Sequence, residues 1–363
     1  MPRRAVLRVA MAAGATAAAA GSLVGGSGRA EASTQEAATA GHTTDTSYPV
    51  GTTPLLGGPY LLDPDRNGVR VVWHTEDQGS HQVVLVGSAV ADLTAEQAVA
   101  AATGHQPRGH HWRRVAATTE RLRRTREDQL SAVPGHSYPA VTDRPVWRHL
   151  AEVTDLPDGR TPYRVVSVDA AGLATVTAGY TLAPAAPRRA PVRLLLTSDH
   201  QLKPMTPANL EIAAQTVGVE LDGVLMAGDF VNTPDRASEW FDSDTGLGFF
   251  ASFTGRATRT IAGRTYRGAP ILQHTPLFPA IGNHEVMGRW SATDALTSQF
   301  NNPQPTAVAE RLWQQTQPTG VDHDAWVTDH SWNVDTYAQM FPFPRSAEGG
   351  PRWYARTIGD VLR

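Results

Sequence analysis

The chain has no cysteine. That excludes disulfides, thiolate metal sites and cysteine nucleophiles together. Lysine is almost missing: Lys203 is the single one, and arginine carries the rest of the positive charge. With abundant alanine and glycine, this reads as coding bias in a GC-rich genome. Net charge is only −3 over 363 residues, so no global field favours nucleic acid or a membrane surface. Beyond the first 32 residues no apolar run reaches membrane-spanning length. There is no Gly-x-Ser-x-Gly elbow and no Walker loop. His284-Glu285 could open a zincin motif, but Gly288 stands where its second histidine belongs.

Three stretches stand out against these absences. Arg193–Gln201, Val224–Asn232 and Phe278–Glu285 each begin as an apolar run and end in oxygen- or nitrogen-bearing side chains. Runs without polar alternation suit strands buried on both faces, as in a parallel sheet. Ligands of open α/β sheets sit beyond the carboxyl ends of the strands, where all three polar clusters fall. Asp199, Asp229 and Asn283 offer oxygen and His284 offers nitrogen, a set suited to hard or borderline cations. Gly228 and Gly282 precede the candidate ligands, as a sharp turn without Cβ requires. Taken singly, each aspartate reads as a turn or cap residue; the combination carries the reading.

In this order, Asp199-x-Gln201, Gly228-Asp229-x-x-Asn232 and Gly282-Asn283-His284-Glu285 resemble the calcineurin-like metallophosphoesterases, which include the purple acid phosphatases. The resemblance implies two metal ions, Fe, Zn or Mn, with Asp229 bridging both. It implies Asp199 on the first ion and the Asn283 amide oxygen on the second. It implies that His284 contacts the phosphate or leaving group and that Glu285 orients His284. The expected reaction is hydrolysis of phosphomonoesters or phosphodiesters by a metal-bound hydroxide, with residual positive charge attracting the phosphate. Two positions depart from the pattern. Gln201 stands where most members carry histidine, or purple acid phosphatases glycine; it binds the first metal weakly or only hydrogen-bonds the hydroxide. His200 is expected to point away, the alternative being that it replaces the missing ligand. Asn232 stands where purple acid phosphatases carry a metal-binding tyrosine, so no charge-transfer colour is expected and metal identity stays open.

Along the chain, residues 1–32 read as an export signal. Arg3-Arg4 suggests the twin-arginine route, with a Sec signal as the alternative, and Ala30-Glu31-Ala32 is a small-x-small cleavage site. A secreted or cell-envelope location follows, with no membrane span once the signal is removed. Residues 33–54 read as a disordered linker. From 55 to 183, β-rich runs at Val69–Thr75, His81–Gly87, Trp112–Thr119, Trp147–Val153, Tyr163–Val168 and Ala174–Leu182 predict a β-sandwich. The stretch from His149 through Asp155-Leu156-Pro157-Asp158-Gly159 to Tyr163 resembles a fibronectin type III-like or purple acid phosphatase N-terminal domain, in which Tyr163 would form a tyrosine corner. A short helix is expected over Leu93–Ala102. Residues 184–191 form a stiff Pro-rich linker. Residues 192–363 then read as the first part of an α/β metallophosphoesterase domain with mostly parallel or mixed sheets. Thr206 caps a helix with Pro207 at its first position, and Leu210, Ala213, Ala214 and Val217 make its apolar stripe, giving a right-handed βαβ unit.

Several clusters invite the plainer reading. Arg121–Arg126 is flanked by Glu120, Glu127 and Asp128 and reads as a solvated hairpin. His105, His110 and His111 lie in a Gly/Pro loop, and His323 and His330 in a polar one. Of Trp240, Phe249, Phe250, Phe253, Trp290, Trp313, Trp326 and Trp332 in 233–275 and 286–350, most read as local packing. Trp353–Arg363 reads as strand, Gly-Asp turn and second strand. In the family two further histidine-bearing segments follow, so the chain reads as a fragment, with an exposed apolar sheet edge and no activity by itself. The substrate expected is a phosphate ester; no nucleic-acid module is evident. A secreted binding module with a vestigial phosphatase-like half is the competing function.

Overall fold

The computed structural model describes residues 48–104, 111–217, 220–343 and 353–362. The expected signal, residues 33–47 of the expected linker, His105 and His110 lie outside the described residues. Within the expected linker, Val50 bridges Ala174, and Tyr48 and Val50 pack on a buried cluster.

The first part of the chain forms β1 (Gly57–Leu62), β2 (Val69–Thr75), β3 (His81–Val86), β4 (Arg113–Ala116), β5 (Thr118–Arg121), β6 (Arg126–Glu127), β7 (Thr142–Asp143), β8 (Trp147–Val153), β9 (Thr161–Val168), β10 (Ala174–Val176) and β11 (Tyr180–Leu182). Two sheets face each other. Val69, Val71 and Trp73 of β2 meet Val84, Val86, Tyr163 and Val165 of β3 and β9 in one buried cluster, as period-two alternation dictates. The run Trp112–Thr119, expected as one strand, is two. β4 pairs with β3, whereas β5 pairs with β8 in the opposite sheet. The helix α1 (Ala95–Thr103) starts from a capping box of Thr94 and Gln97 and covers the outer face of β3 and β9.

The second part contributes β12 (Leu194–Thr197), α2 (Thr206–Val217), β13 (Gly223–Met226) and, after an insertion, β16 (Pro276–Pro279). The insertion holds α3 (Ala237–Trp240), α4 (Phe249–Phe253) and a hairpin of β14 (Arg259–Ile261) and β15 (Arg264–Tyr266). β12, β13 and β16 are parallel neighbours, as their unbroken apolar runs require. Leu210 is buried, with Ala213, Ala214 and Val217 packed against the same core. A terminal hairpin of β17 (Thr357–Ile358) and β18 (Val361–Leu362) places Ile358 over Leu225 and Phe278.

The two parts share one sheet. Its strand order is β12-β13-β16-β1-β2-β8-β5, with β1 parallel to β16. β1 therefore occupies the β16 side of the parallel sheet, where an open edge was expected. Tyr163 extends the same junction: its hydroxyl donates to the Gln273 carbonyl at 2.9 Å, rather than to the carbonyl a few residues upstream that a tyrosine corner uses. The acceptor lies in the second part because β9 faces it across the seam.

The Arg121–Arg126 segment corrects a second expectation. Arg124 and Arg126 are buried, not solvated. Both pair with the buried Asp235, at 3.1 and 2.6 Å, and the Thr336 hydroxyl also donates to it. Burial pushes the Asp235 carboxyl up, but Arg124 and Arg126 outweigh it and hold it below the ordinary range. Arg144 similarly reaches Glu127 and Asp242 at 3.0 and 2.7 Å. Buried charges are tolerated only when paired in this way; the acids at 235 and 242 are what the basic run lacks locally.

Two buried histidines are expected to cost the fold stability in acid. His149 bridges the hydroxyls of Thr75 and Thr119 at 2.7 and 2.9 Å, and burial lowers its imidazole to about 3. Burial, then Arg148 and His149, lowers His74 well below its ordinary value. The unfolded chain therefore binds protons that the native one refuses. Stability is full above an unfolded pKa of 6.5 and is lost as pH falls from there towards about 3. Urea unfolding at stepped pH should lose about 1.4 kcal/mol per pH unit per histidine. His149→Gln should flatten that slope; an unchanged slope contradicts the assignment.

Candidate functional site

The carboxyl ends of β12, β13 and β16 bring the three motifs together. Asp199 N donates to the Gly228 carbonyl at 3.3 Å, and His200 N to the Asp229 carbonyl at 3.0 Å. His284 N donates to Asp229 Oδ1 at 3.1 Å. Asp199 and Asp229 both adopt positive φ, 58° and 59°. Aspartate tolerates that region better than most residues, and such backbone clusters at functional sites.

Glycine is required where the turns touch. A Cβ on Gly228 would lie 2.4 Å from Gly282 N, and one on Gly282 2.2 Å from Asp229 Oδ1. The contact is sealed by Glu285, which is fully buried. Its Oε2 accepts from Asp229 N at 2.8 Å and Gly282 N at 2.7 Å. Its Oε1 accepts from Phe230 N at 2.9 Å. Burial raises the Glu285 carboxyl above the ordinary range, the three backbone donors oppose this, and Asp229 adds to it. Glu285 was expected to orient His284. Instead its oxygens are engaged by backbone N–H groups, because the chain turns at Gly282 and Asp229 leave those donors facing inward. The His284 ring is held elsewhere: Nδ1 lies 2.7 Å from the Asn232 carbonyl, and the ring stacks on Phe300, centroids 5.0 Å apart.

The remaining candidates separate. Asp199 and Asn283 are exposed and Asp229 is half-buried. Ser198 Oγ donates to Asp199 Oδ2 at 2.6 Å. His200 is turned inward, its Nε2 2.7 Å from the Thr197 hydroxyl and its ring edge-on to Phe253. Burial lowers it to about 4, against the pull of Asp199. Gln201 is also buried, with its backbone N 3.5 Å from the Asp229 carbonyl. Among the described residues no group of three or more His, Cys, Asp or Glu could hold a metal ion. Two carboxylates and an amide suit one hard cation in chemistry. They do not complete the two-ion centre, whose further donors the described residues do not bring. His323 instead pairs with Glu310 and Asp324 at 3.0 and 2.8 Å, and His330 stacks on Trp326 at 3.6 Å.

No family model matches the chain. No curated protein matches it either. Among solved structures, the chain is similar to a purple acid phosphatase from yellow lupin (Lupinus luteus) seeds. That similarity covers 83% of this chain and 43% of the lupin chain, at 14% identity and a TM-score of 0.45. A cyclomaltodextrinase matches over 48% of this chain and 32% of its own, at 9% identity and a TM-score of 0.18. The chain thus spans less than half the length of either structure, and at these scores neither likeness bears on the chemistry.

Sequence reasoning did not find Asn232 as a holder of His284, because it acts through its backbone carbonyl. Phe300 was not singled out, and nothing in its surroundings in sequence marks it as the ring that faces His284.

Glu285→Gln puts an N–H₂ donor against backbone donors. Urea unfolding should show a loss of about 2–4 kcal/mol. A loss under about 1 kcal/mol would contradict the three-donor clamp.

Proposed function

We propose that this chain builds the front of a metal-dependent phosphoesterase site, with a phosphate mono- or diester as substrate. The observation that carries this reading is the meeting of Asp229 Oδ1 with the His284 backbone at 3.1 Å, on turns that also bring in Asp199. Asp229, Asp199 and Asn283 would hold a divalent cation, and Gln201 would act only through its backbone or after a side-chain rearrangement. A cation there would supply Lewis-acid chemistry and offset phosphate charge. His284, with Nδ1 at a carbonyl, keeps Nε2 free to meet a phosphate or leaving-group oxygen. Glu285 holds the two turns in contact.

Export belongs to the same proposal. It rests on Arg3-Arg4, the weakly apolar stretch and Ala30-Glu31-Ala32. Among the described residues no helix is long and apolar enough to cross a membrane.

The second reading, a binding module with a vestigial phosphatase-like half, is favoured by the lack of a three-residue metal cluster among the described residues. Calorimetric titration with manganese or zinc separates the two. The enzyme reading expects saturable binding that Asp229→Ala weakens at least about a hundredfold, ~2.7 kcal/mol. It also expects loaded protein to hydrolyse an aryl phosphate above background. Absence of binding supports the module, and binding indifferent to Asp229 contradicts the site as drawn.

A further inference from the structure

One buried carboxylate from the first part of the chain reaches His284 along two routes. Asp128 is fully buried and lies just after β6. Its oxygens accept from Arg236, with Nη2 at 3.1 Å from each and Nε at 3.3 Å from Oδ1. Arg236 Nη1 donates to Glu239 Oε1 at 2.6 Å. The other oxygen of Glu239 accepts from Asn232 N at 2.6 Å and Thr233 N at 3.1 Å. That fixes the backbone whose carbonyl receives His284 Nδ1. On the second route, Asp128 Oδ2 accepts from Leu296 N at 2.7 Å. Leu296 opens the short helix Leu296–Phe300, and Phe300 lies against the His284 ring with planes 20° apart. Asp128, Arg236 and Glu239 are all buried, so their charges are paired in a weakly screening environment and hold geometry tightly.

We propose that Asp128 and Glu239 are positioning residues that fix the tautomer and plane of His284. A carbonyl can only accept, so the Asn232 oxygen requires the proton on Nδ1. Nε2 is then the nitrogen presented outward: a lone pair when the ring is neutral, an N–H donor when it is charged. Without Glu239 the Asn232–Thr233 turn loses its anchor, and either nitrogen can carry the proton. The functional consequence rests on the role proposed above for His284. The tautomer itself does not, and its test reads neither metal nor hydrolysis.

The test is nitrogen NMR on the full chain labelled at histidine, with His284→Gln to assign the signals. Spectra are recorded above the range in which imidazole protonates. The parent should show at least about a tenfold excess of the Nδ1–H form. Glu239→Ala should reduce that excess below about threefold. Glu239→Gln keeps an acceptor oxygen for Asn232 N but turns an N–H₂ towards Arg236, so it should restore the excess in part, a recovery that general destabilisation does not produce. Asp128→Asn should reduce it in part, and it replaces Glu239→Ala should that variant not fold. An Nε2–H majority in the parent overturns the proposal. So does an undiminished excess in folded Glu239→Ala, or, where that variant does not fold, in Asp128→Asn.

Discussion

Three backbone N–H groups converge on the Glu285 carboxylate, and the site depends on that convergence. Each donor belongs to a turn at the end of a parallel strand, where the sheet no longer supplies a partner. Asp229 and Phe230 come from the turn after β13, and Gly282 from the turn after β16. A buried carboxylate is costly unless hydrogen-bonded; buried amides are costly for the same reason. Each resolves the other here. The arrangement also explains why glycine stands at 228 and 282: the turns approach so closely that a Cβ on either would meet backbone or the Asp229 carboxylate. Asp229, which itself sits at positive φ, is thereby held against the His284 backbone.

The same logic works at larger scale. The first part of the chain is not an appendage to the second. β1 extends the parallel sheet, Tyr163 bonds across the seam, and Arg124, Arg126 and Arg144 place their charges against acids of the insertion after Asp229. Desolvated ion pairs are weak sources of net stability, but separating the partners strands a charge at high cost. Asp235, facing two guanidiniums and a hydroxyl, pins the insertion to β6 and its neighbours. The loops that carry the candidate chemistry are therefore fastened from the sandwich side as well as from their own strands.

How much of this was legible beforehand depended on whether the cause was local. The three parallel strands announced themselves as unbroken apolar runs ending in polar turns. β2, β8 and α2 followed from period, although Thr206 opens α2 rather than capping it, its hydroxyl donating to the His200 carbonyl. The meeting of Asp229 with the Gly282–Glu285 turn was implied by motif order, and the glycines by the need for tight turns. What could not be read were partners distant in sequence. Arg124 and Arg126 look solvated beside Glu127 and Asp128, because Asp235 lies more than a hundred residues on. β1 joins β16 across a gap about twice as long, and nothing near Gly57–Leu62 signals a parallel partner. Glu285 was matched to His284 through the family resemblance, whereas its geometry is decided by amides of its own turn and of the turn after β13. His200 does turn inward, as expected, but not by strand alternation: β12 ends at Thr197 and Asp199 sits at positive φ.

The central claim is that the turns after β12, β13 and β16 form a cation site at Asp199, Asp229 and Asn283. The most direct measurement is anomalous diffraction from crystals soaked in manganese. The account predicts a peak within about 2.5 Å of an Asp229 carboxylate oxygen, with Asp199 or Asn283 as a second contact. A map with no peak at Asp229, or with manganese only at an unrelated cluster such as His323 and Glu310, would contradict it.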